Sequence, residues 1–373
     1  MLGENDTWVG VPAARIARAV RRGDATATWV AVDHLDYAAR VDGQLRAMSV
    51  VRDGTAIAEA ELVDDQPDLS HLSLAGVPVV VPQTIAVAGL HTPDGLAWSD
   101  HEVVRRLRGA GAIVLGTART GGTNRNPWRS DRIPGGSAGG GAAAVAAGLA
   151  PISLASDTRG ALRVAAACCG LVAATSGYGL GILATTATDA GLGLAVLAGR
   201  DPAPTAEQRR LRIGVVPVPG VDRATRRAVI NAARLLVGQG HDVVLLDRRR
   251  ESLPSAHQLR RDRATVLLMP TLTGPPPRLS APRWLQVLQT GHAMRWARSE
   301  QPTVVLPLGV REDGLPDSVQ LVGEPGAEPV LLSLAARLEL LGRRRHAPGW
   351  PRPAVGPRWD LATPGRHRAT IGA

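Results

Sequence analysis

Apolar residues recur at helical spacing from Val11 to Val41, and the Gly23-Asp24 pair interrupts them, so two amphipathic helices are expected there. Leu45–Val63 keeps the same spacing and predicts a third helix. The pattern then changes. Leu74–Pro82 reads LAGVPVVVP, a short β-branched run that suits a strand buried on both faces. From there helical and strand-like segments alternate. His101–Gly109 is helical and Ala112–Leu115 a strand. Gly139–Gly148 is a helix of small residues, Pro151–Ala155 a strand and Ala161–Ala167 a helix. Leu211–Val216, Arg223–Gly238 and Asp242–Leu246 predict strand, helix and strand. Further strands are expected at Thr265–Met269, Thr303–Leu306 and Ser318–Val322, with a closing helix over Pro329–Leu341. Such alternation predicts a layered α/β fold with a mixed sheet.

The chain has 373 residues, enough for one large domain. A single domain is expected over residues 1–345: N-terminal helices in 1–70, a core in 71–200 and a C-terminal part in 201–345. The Pro/Arg/Gly-rich tail over 346–373 is expected to be loosely ordered. No apolar run is long and clean enough to span a bilayer. The opening MLGENDTWVG has no basic stretch leading into an apolar one, so no secretory signal is expected. The two cysteines, Cys168 and Cys169, are adjacent, and no spaced ligand set exists. Neither a disulfide nor a metal site is expected, and a cytoplasmic setting follows. No cofactor is implied.

Charge adds one sharp constraint. The formal net charge is +10, and the chain contains no lysine: all its basic residues are arginines. A basic chain raises the question of nucleic acid. Here the arginines are spread along helical segments such as Val103–Arg108 and Arg223–Arg234. The tight clusters, Arg248–Arg250 and Arg343–Arg345, are short and lack interleaved aromatics for base stacking. Nucleic-acid binding is therefore not expected. Lysine can lose its proton when buried and act as a base, whereas arginine cannot. No lysine-dependent mechanism can operate within this chain.

The most informative segment is Pro134–Gly170, PGGSAGGGAAAVAAGLAPISLASDTRGALRVAAACCG. It resembles the Gly/Ser/Ala-rich core of the amidase signature family. Four further blocks resemble that family in the right order: Ala75–Leu90, Asp100–Gly116, Arg210–Asp247 and Val304–Leu341. The resemblance implies an α/β/α sandwich around a central mixed β-sheet. It also implies a catalytic set of a lysine, a serine in a cis peptide and a nucleophilic serine, with backbone N–H groups before the nucleophile forming the oxyanion hole. Serine needs an adjacent base to attack, and the oxyanion needs donors already in place.

Carried over residue by residue, the resemblance places the lysine at Pro82, the cis-serine at Ser137 and the nucleophile at Ala161. Only Ser137 keeps its type, and its usual serine neighbour is Ala138. A glycine of the oxyanion loop is replaced by Arg159. Gly135, Gly136, Thr158, Arg159 and Gly160 would line a substrate site, with Asp157 and Arg163 retained to hold the loop. The stretch that lines the pocket in the family is compressed here into Ala173–Leu183, and a helical region between about Leu253 and Ala264 is shortened.

Each candidate also has a plainer reading. Ser137 could cap the following helix. The glycines Gly135, Gly136, Gly139, Gly140 and Gly141 lack the Lys-Ser/Thr of a phosphate loop and fit close helix–sheet packing. Cys168 and Cys169 sit in an apolar run and read as inert core. His91 could serve Ser137 as a base, but no acid partner is visible near it. Arg159 could anchor a carboxylate or stand solvated on a rim. The leading expectation is a catalytically degenerate amidase that binds a small amide or carboxylate ligand or a protein partner. The alternative is an active amidase or acyl-transfer enzyme with a site rebuilt around Ser137.

Overall fold

The computed structural model describes residues 7–176, 179–200, 210–246, 265–297 and 301–342. The two N-terminal runs form α1 (Ala13–Arg22) and α2 (Ala27–Leu45). Gly23 ends α1 in the left-handed conformation, and the Thr26 hydroxyl caps α2 by accepting from Trp29 N. The expected third helix is two elements, β1 (Met48–Val51) and α3 (Asp53–Asp64). The reason is local. Arg46 adopts φ 55° and ends α2, and the Asp42 carboxylate accepts from Ala47 N and Met48 N, which turns the chain into an extended path.

There follow β2 (Pro78–Pro82), a small ribbon of β3 (His91–Thr92) and β4 (Gly95–Leu96), α4 (Glu102–Gly109) and β5 (Ile113–Ala118). The glycine-rich segment supplies α5 (Gly139–Ala147), β6 (Ile152–Ser156) and α6 (Ala161–Cys169). Next come β7 (Val172–Thr175), β8 (Leu180–Ala184) and α7 (Ala187–Leu197). The C-terminal part contains β9 (Arg212–Val215), α8 (Arg223–Gly238), β10 (Asp242–Leu245), β11 (Val266–Pro270), α9 (Arg283–Ala297), β12 (Thr303–Val310), β13 (Pro316–Gly323) and α10 (Glu328–Leu341). The stretch Ala173–Leu183 contains most of the paired strands β7 and β8. The 253–264 region and the 346–373 tail lie outside the described residues.

Among the described residues the main sheet has 11 strands in the order β1-β5-β2-β6-β8-β7-β12-β13-β11-β9-β10. It is mixed. β2 runs parallel to β5 and β6, and β9 runs parallel to β10 and β11, while β8, β7, β12 and β13 pair antiparallel. Side chains alternate between two cores, as strand geometry requires. Ile152, Leu154, Val172, Ala174, Val304 and Leu306 face the larger cluster, which also takes residues from α1, α2, α7, α8 and α10. Ala155, Ala173, Leu183 and Val305 face the other, which is built on α6 and part of α5. Central strands buried on both sides explain the uninterrupted β-branched runs.

The small residues of α5 permit a close approach. A Cβ on Gly140 would lie 2.3 Å from the Arg119 carbonyl oxygen, and one on Gly141 2.4 Å from Ser153 Oγ. Gly140→Ala is therefore expected to destabilise the fold by about 1–3 kcal/mol through overpacking. Urea denaturation checks this. A midpoint equal to that of the parent would show that α5 can shift away from Arg119.

Candidate active site

The three positions that the sequence assigns to catalysis converge at one end of the sheet. β2 and β6 are adjacent and parallel, with Val79 opposite Ile152 and Val80 opposite Ser153. Pro82 is the last residue of β2, and the Asp157–Gly160 turn leaves the same end of β6. The Pro134–Ser137 loop crosses α6 closely: a Cβ on Gly135 would fall 2.6 Å from Ala165 Cα, one turn beyond Ala161. Ser137 leads into α5 and Ala161 starts α6, so the carboxyl ends of strands meet the N-termini of helices. Open α/β sheets bind ligands at such places.

The side chains there carry little chemistry. Pro82 is buried in the sheet, paired with Ala118. Its neighbour Gln83 donates from Nε2 to Thr120 Oγ1 at 2.8 Å. Ser137 is exposed, and its hydroxyl makes no hydrogen bond among the described residues. The expected cap is not formed. Ala138 occupies the N-cap of α5 without a side-chain bond, and Gly139 N instead donates to Gly136 O. The peptide before Ser137 is trans. Ala161 is half-buried against the apolar cluster that contains Ala138, Leu162 and Ala293.

The turn before Ala161 bonds three of its own donors. Thr158 N donates to Ser156 Oγ at 3.2 Å and Gly160 N to Asp157 O at 2.9 Å, while Ala161 N donates to Thr158 O. Arg159 stands in the left-handed region at φ 57°, exposed, with no ion pair among the described residues. This matches the solvated alternative for Arg159. α9 packs against this turn.

Asp157 and Arg163 form the strongest polar feature. Arg163 Nε donates to Asp157 Oδ2 at 2.9 Å, and the two side chains are 1% and 5% exposed. Burial pushes the Asp157 carboxyl above its ordinary range, and the Arg163 guanidinium opposes that shift. The pair ties the turn to the first two turns of α6.

Cys168 and Cys169 are buried core residues, as expected. Burial raises the Cys168 thiol to about 12 and pushes Cys169 well above its usual value, so neither supplies a thiolate near neutrality. Cys169 Sγ donates weakly to Pro134 O. His91 lies exposed on the β3–β4 ribbon and makes no hydrogen bond to Ser137. Two residues that the sequence did not single out hold α6 in place. Asn126 Nδ2 donates to Cys168 O at 2.9 Å, and Trp128 Nε1 donates to Cys169 O at 2.8 Å, filling carbonyls that a helix end leaves open. Their separation of about forty residues from α6 left no local signal.

The fold agrees with relatives of known class. A profile of the Amidase family matches residues 32–259, and the chain belongs to that family. The putative amidase AmiB2 of Mycobacterium tuberculosis is 32% identical, with 88% of this chain and 95% of that protein covered. That alignment runs over 439 positions, more than the 373 residues here, so segments of the relative have no counterpart in this chain. Among solved structures, 6-aminohexanoate cyclic dimer hydrolase complexed with substrate superposes with a TM-score of 0.78 at 23% identity, covering 91% of this chain and 99% of that one. A second, described as a vestigial protein complex that reveals the evolutionary origins of an s-triazine catabolic enzyme, gives 0.73 at 23% identity, with 90% and 100% covered. Among the described residues no helix is long and apolar enough to cross a membrane.

Proposed function

We propose that this protein is a degenerate member of the amidase family, unable to cleave amides by the Ser–Ser–Lys route and retained in the cytoplasm to bind a small amide or carboxylate ligand or a protein partner. The observation that carries the reading is the identity of two residues: Pro82 stands at the base position and Ala161 at the nucleophile position. Acyl transfer on this scaffold needs an attacking oxygen and a proton acceptor. Removing nucleophile and base together should cost nearly the whole catalytic effect, on the order of a million-fold where a comparable triad was dismantled. The bonded Thr158, Gly160 and Ala161 N–H groups support the same conclusion, because an oxyanion would have to displace those bonds to be held by them. The structural neighbour described as a vestigial complex supports retention for association.

The rebuilt-site reading finds no support in the geometry around Ser137. Its hydroxyl faces solvent with no described base bonded to it, and Arg159 has no fixed partner to hold a substrate against. A fluorophosphonate probe and a panel of aliphatic and aromatic amides test the proposal. The expected result is no covalent labelling and equal, background turnover for the parent and for Ser137→Ala. Labelling of any side chain in this cleft, or turnover abolished by Ser137→Ala, would end the degenerate reading.

Restoring the missing groups should not restore the enzyme. Pro82→Lys combined with Ala161→Ser is expected to remain near background in the same amide assays. The Arg159 side chain, the internally bonded turn and the packed α9 all persist in that variant. Hydrolysis at even a thousandth of a typical enzyme turnover, which is about 10 per second, would show that the pocket is intact.

A further inference from the structure

A separate cavity of about 800 Å³ opens between α1, α7 and α10, lined by residues distinct from Pro82, Ser137 and Ala161. Its walls are apolar and small. Ala14 and Ala17 come from α1, Gly191 and Ala195 from α7, Leu332 and Ala336 from α10. Short side chains at these positions leave unfilled the volume that leucines would normally occupy. The volume is in the range of pockets that bury a small organic molecule.

Three guanidiniums line the same cavity: Arg18, Arg21 and Arg200. Among the described residues none of them has a carboxylate partner. Arg21 Nη1 donates to the Leu72 carbonyl at 2.9 Å, while the Arg18 and Arg200 guanidiniums make no hydrogen bond among the described residues. Arg18 and Arg21 lie one turn apart on α1, close enough for repulsion to add to burial in making the Arg21 charge unfavourable. Glu328 is the one acidic residue in the lining, so positive charge prevails. An apolar chamber with unpaired guanidiniums complements a molecule with a hydrocarbon body and an anionic head.

We propose that this cavity is a binding site for a single-chain aliphatic carboxylate, its chain between α7 and α10 and its head at Arg18 and Arg21. The chain gains by leaving water. The head gains charge-assisted hydrogen bonds that no carboxylate among the described residues takes. The site is independent of the catalytic positions and stands whether or not amide cleavage survives.

Calorimetric titration of the full-length protein with dodecanoate below its micellar concentration tests the site, with dodecanol as the body alone and butyrate as the head alone. Dodecanoate is expected to bind saturably at one site, dodecanol at least tenfold more weakly, and butyrate below detection. Arg18→Glu should weaken dodecanoate at least tenfold. Arg15→Glu, on the same helix but outside the cavity, should leave the affinity unchanged. Ala195→Trp, which fills the chamber, should remove binding; Ala336→Leu, from the facing helix, does the same should the tryptophan variant fail to fold. The proposal is overturned by an absence of saturable dodecanoate binding in the parent, by binding that survives the filled chamber, or by dodecanol binding as tightly as dodecanoate.

Discussion

Arg163→Met is expected to destabilise the protein by about 3–5 kcal/mol, because it leaves the buried Asp157 carboxylate without its counter-charge. Spread over an unfolding entropy of roughly 2.1 cal/mol/K per residue, that loss lowers the melting temperature by about 5 °C for a chain of this length. Asp157 is already pushed toward its neutral form by burial, and the guanidinium opposes this most, with help from the Arg163 and Leu162 backbone N–H groups. The double replacement Asp157→Leu/Arg163→Met should therefore recover most of the loss, since removing both charges also removes both desolvation costs. One guanidinium nitrogen, Arg163 Nη1, is buried without a partner, which strengthens that expectation. Paired urea melts of the two variants decide it. A double variant no more stable than Arg163→Met would show that the charges also fix the shape of the Asp157–Gly160 turn. The pair would then be retained for the turn rather than for stability. On the proposed reading, that distinction separates a relic of catalysis from a scaffold still held for binding.

Much of the fold could be read along the chain because its strands are short β-branched runs and its helices carry clear apolar stripes. Arg223–Gly238 appears at its expected bounds, whereas the strand expected over Leu74–Pro82 starts only at Pro78, because Leu74–Gly76 form a turn with Gly76 in the left-handed region. The failures have local causes. Leu45–Val63 keeps helical spacing, yet the left-handed Arg46 and the pairing of Met48–Val51 with β5 override it. β7 and β8 are made largely of alanine, glycine and leucine, so they lack the β-branched signature and owe their form to neighbours in the sheet. α7 reads ATDAGLGLAVL, with apolar or small residues on nearly every side, and no periodicity marks it. At the candidate site, Pro82, Ser137 and Ala161 are assigned from the sequence through the motifs that flank them. The packing of α9 against Thr158–Gly160 was not legible, since it depends on contacts more than a hundred residues apart in sequence. The internal bonds of the Thr158, Gly160 and Ala161 N–H groups were equally invisible, because a run of N–H groups reads the same whether it faces a ligand or its own chain.

His34→Leu should make the protein gain stability as the pH falls from about 7 to about 4. The imidazole is wholly buried on α2, where Nδ1 lies 2.9 Å from the Val30 carbonyl and Nε2 has no partner. Burial pushes its pKa down from 6.5 to about 4, and the Val30 bond only partly opposes this. The unfolded chain therefore takes up a proton near pH 6.5 that the folded protein refuses until about pH 4. Folding stability is complete above the upper value, falls with pH between the two, and levels off below the lower one. At about 1.4 kcal/mol per unit, the full loss is on the order of 3 kcal/mol. Asp317 acts in the opposite sense. Burial raises its carboxyl from 3.8 to about 6 against the pull of Arg311, so the folded state binds the extra proton in that window and gains stability as pH falls. The two groups offset each other between roughly pH 4 and 6, and the parent protein should show a shallow profile there. Removing His34 leaves the Asp317 gain uncovered. Urea midpoints of His34→Leu relative to the parent should rise steadily from pH 7 to pH 4, whatever the variant costs at neutral pH. Asp317→Asn should do the reverse and steepen the acid loss. Profiles that run parallel for all three proteins would show that neither buried group governs the acid stability of this fold.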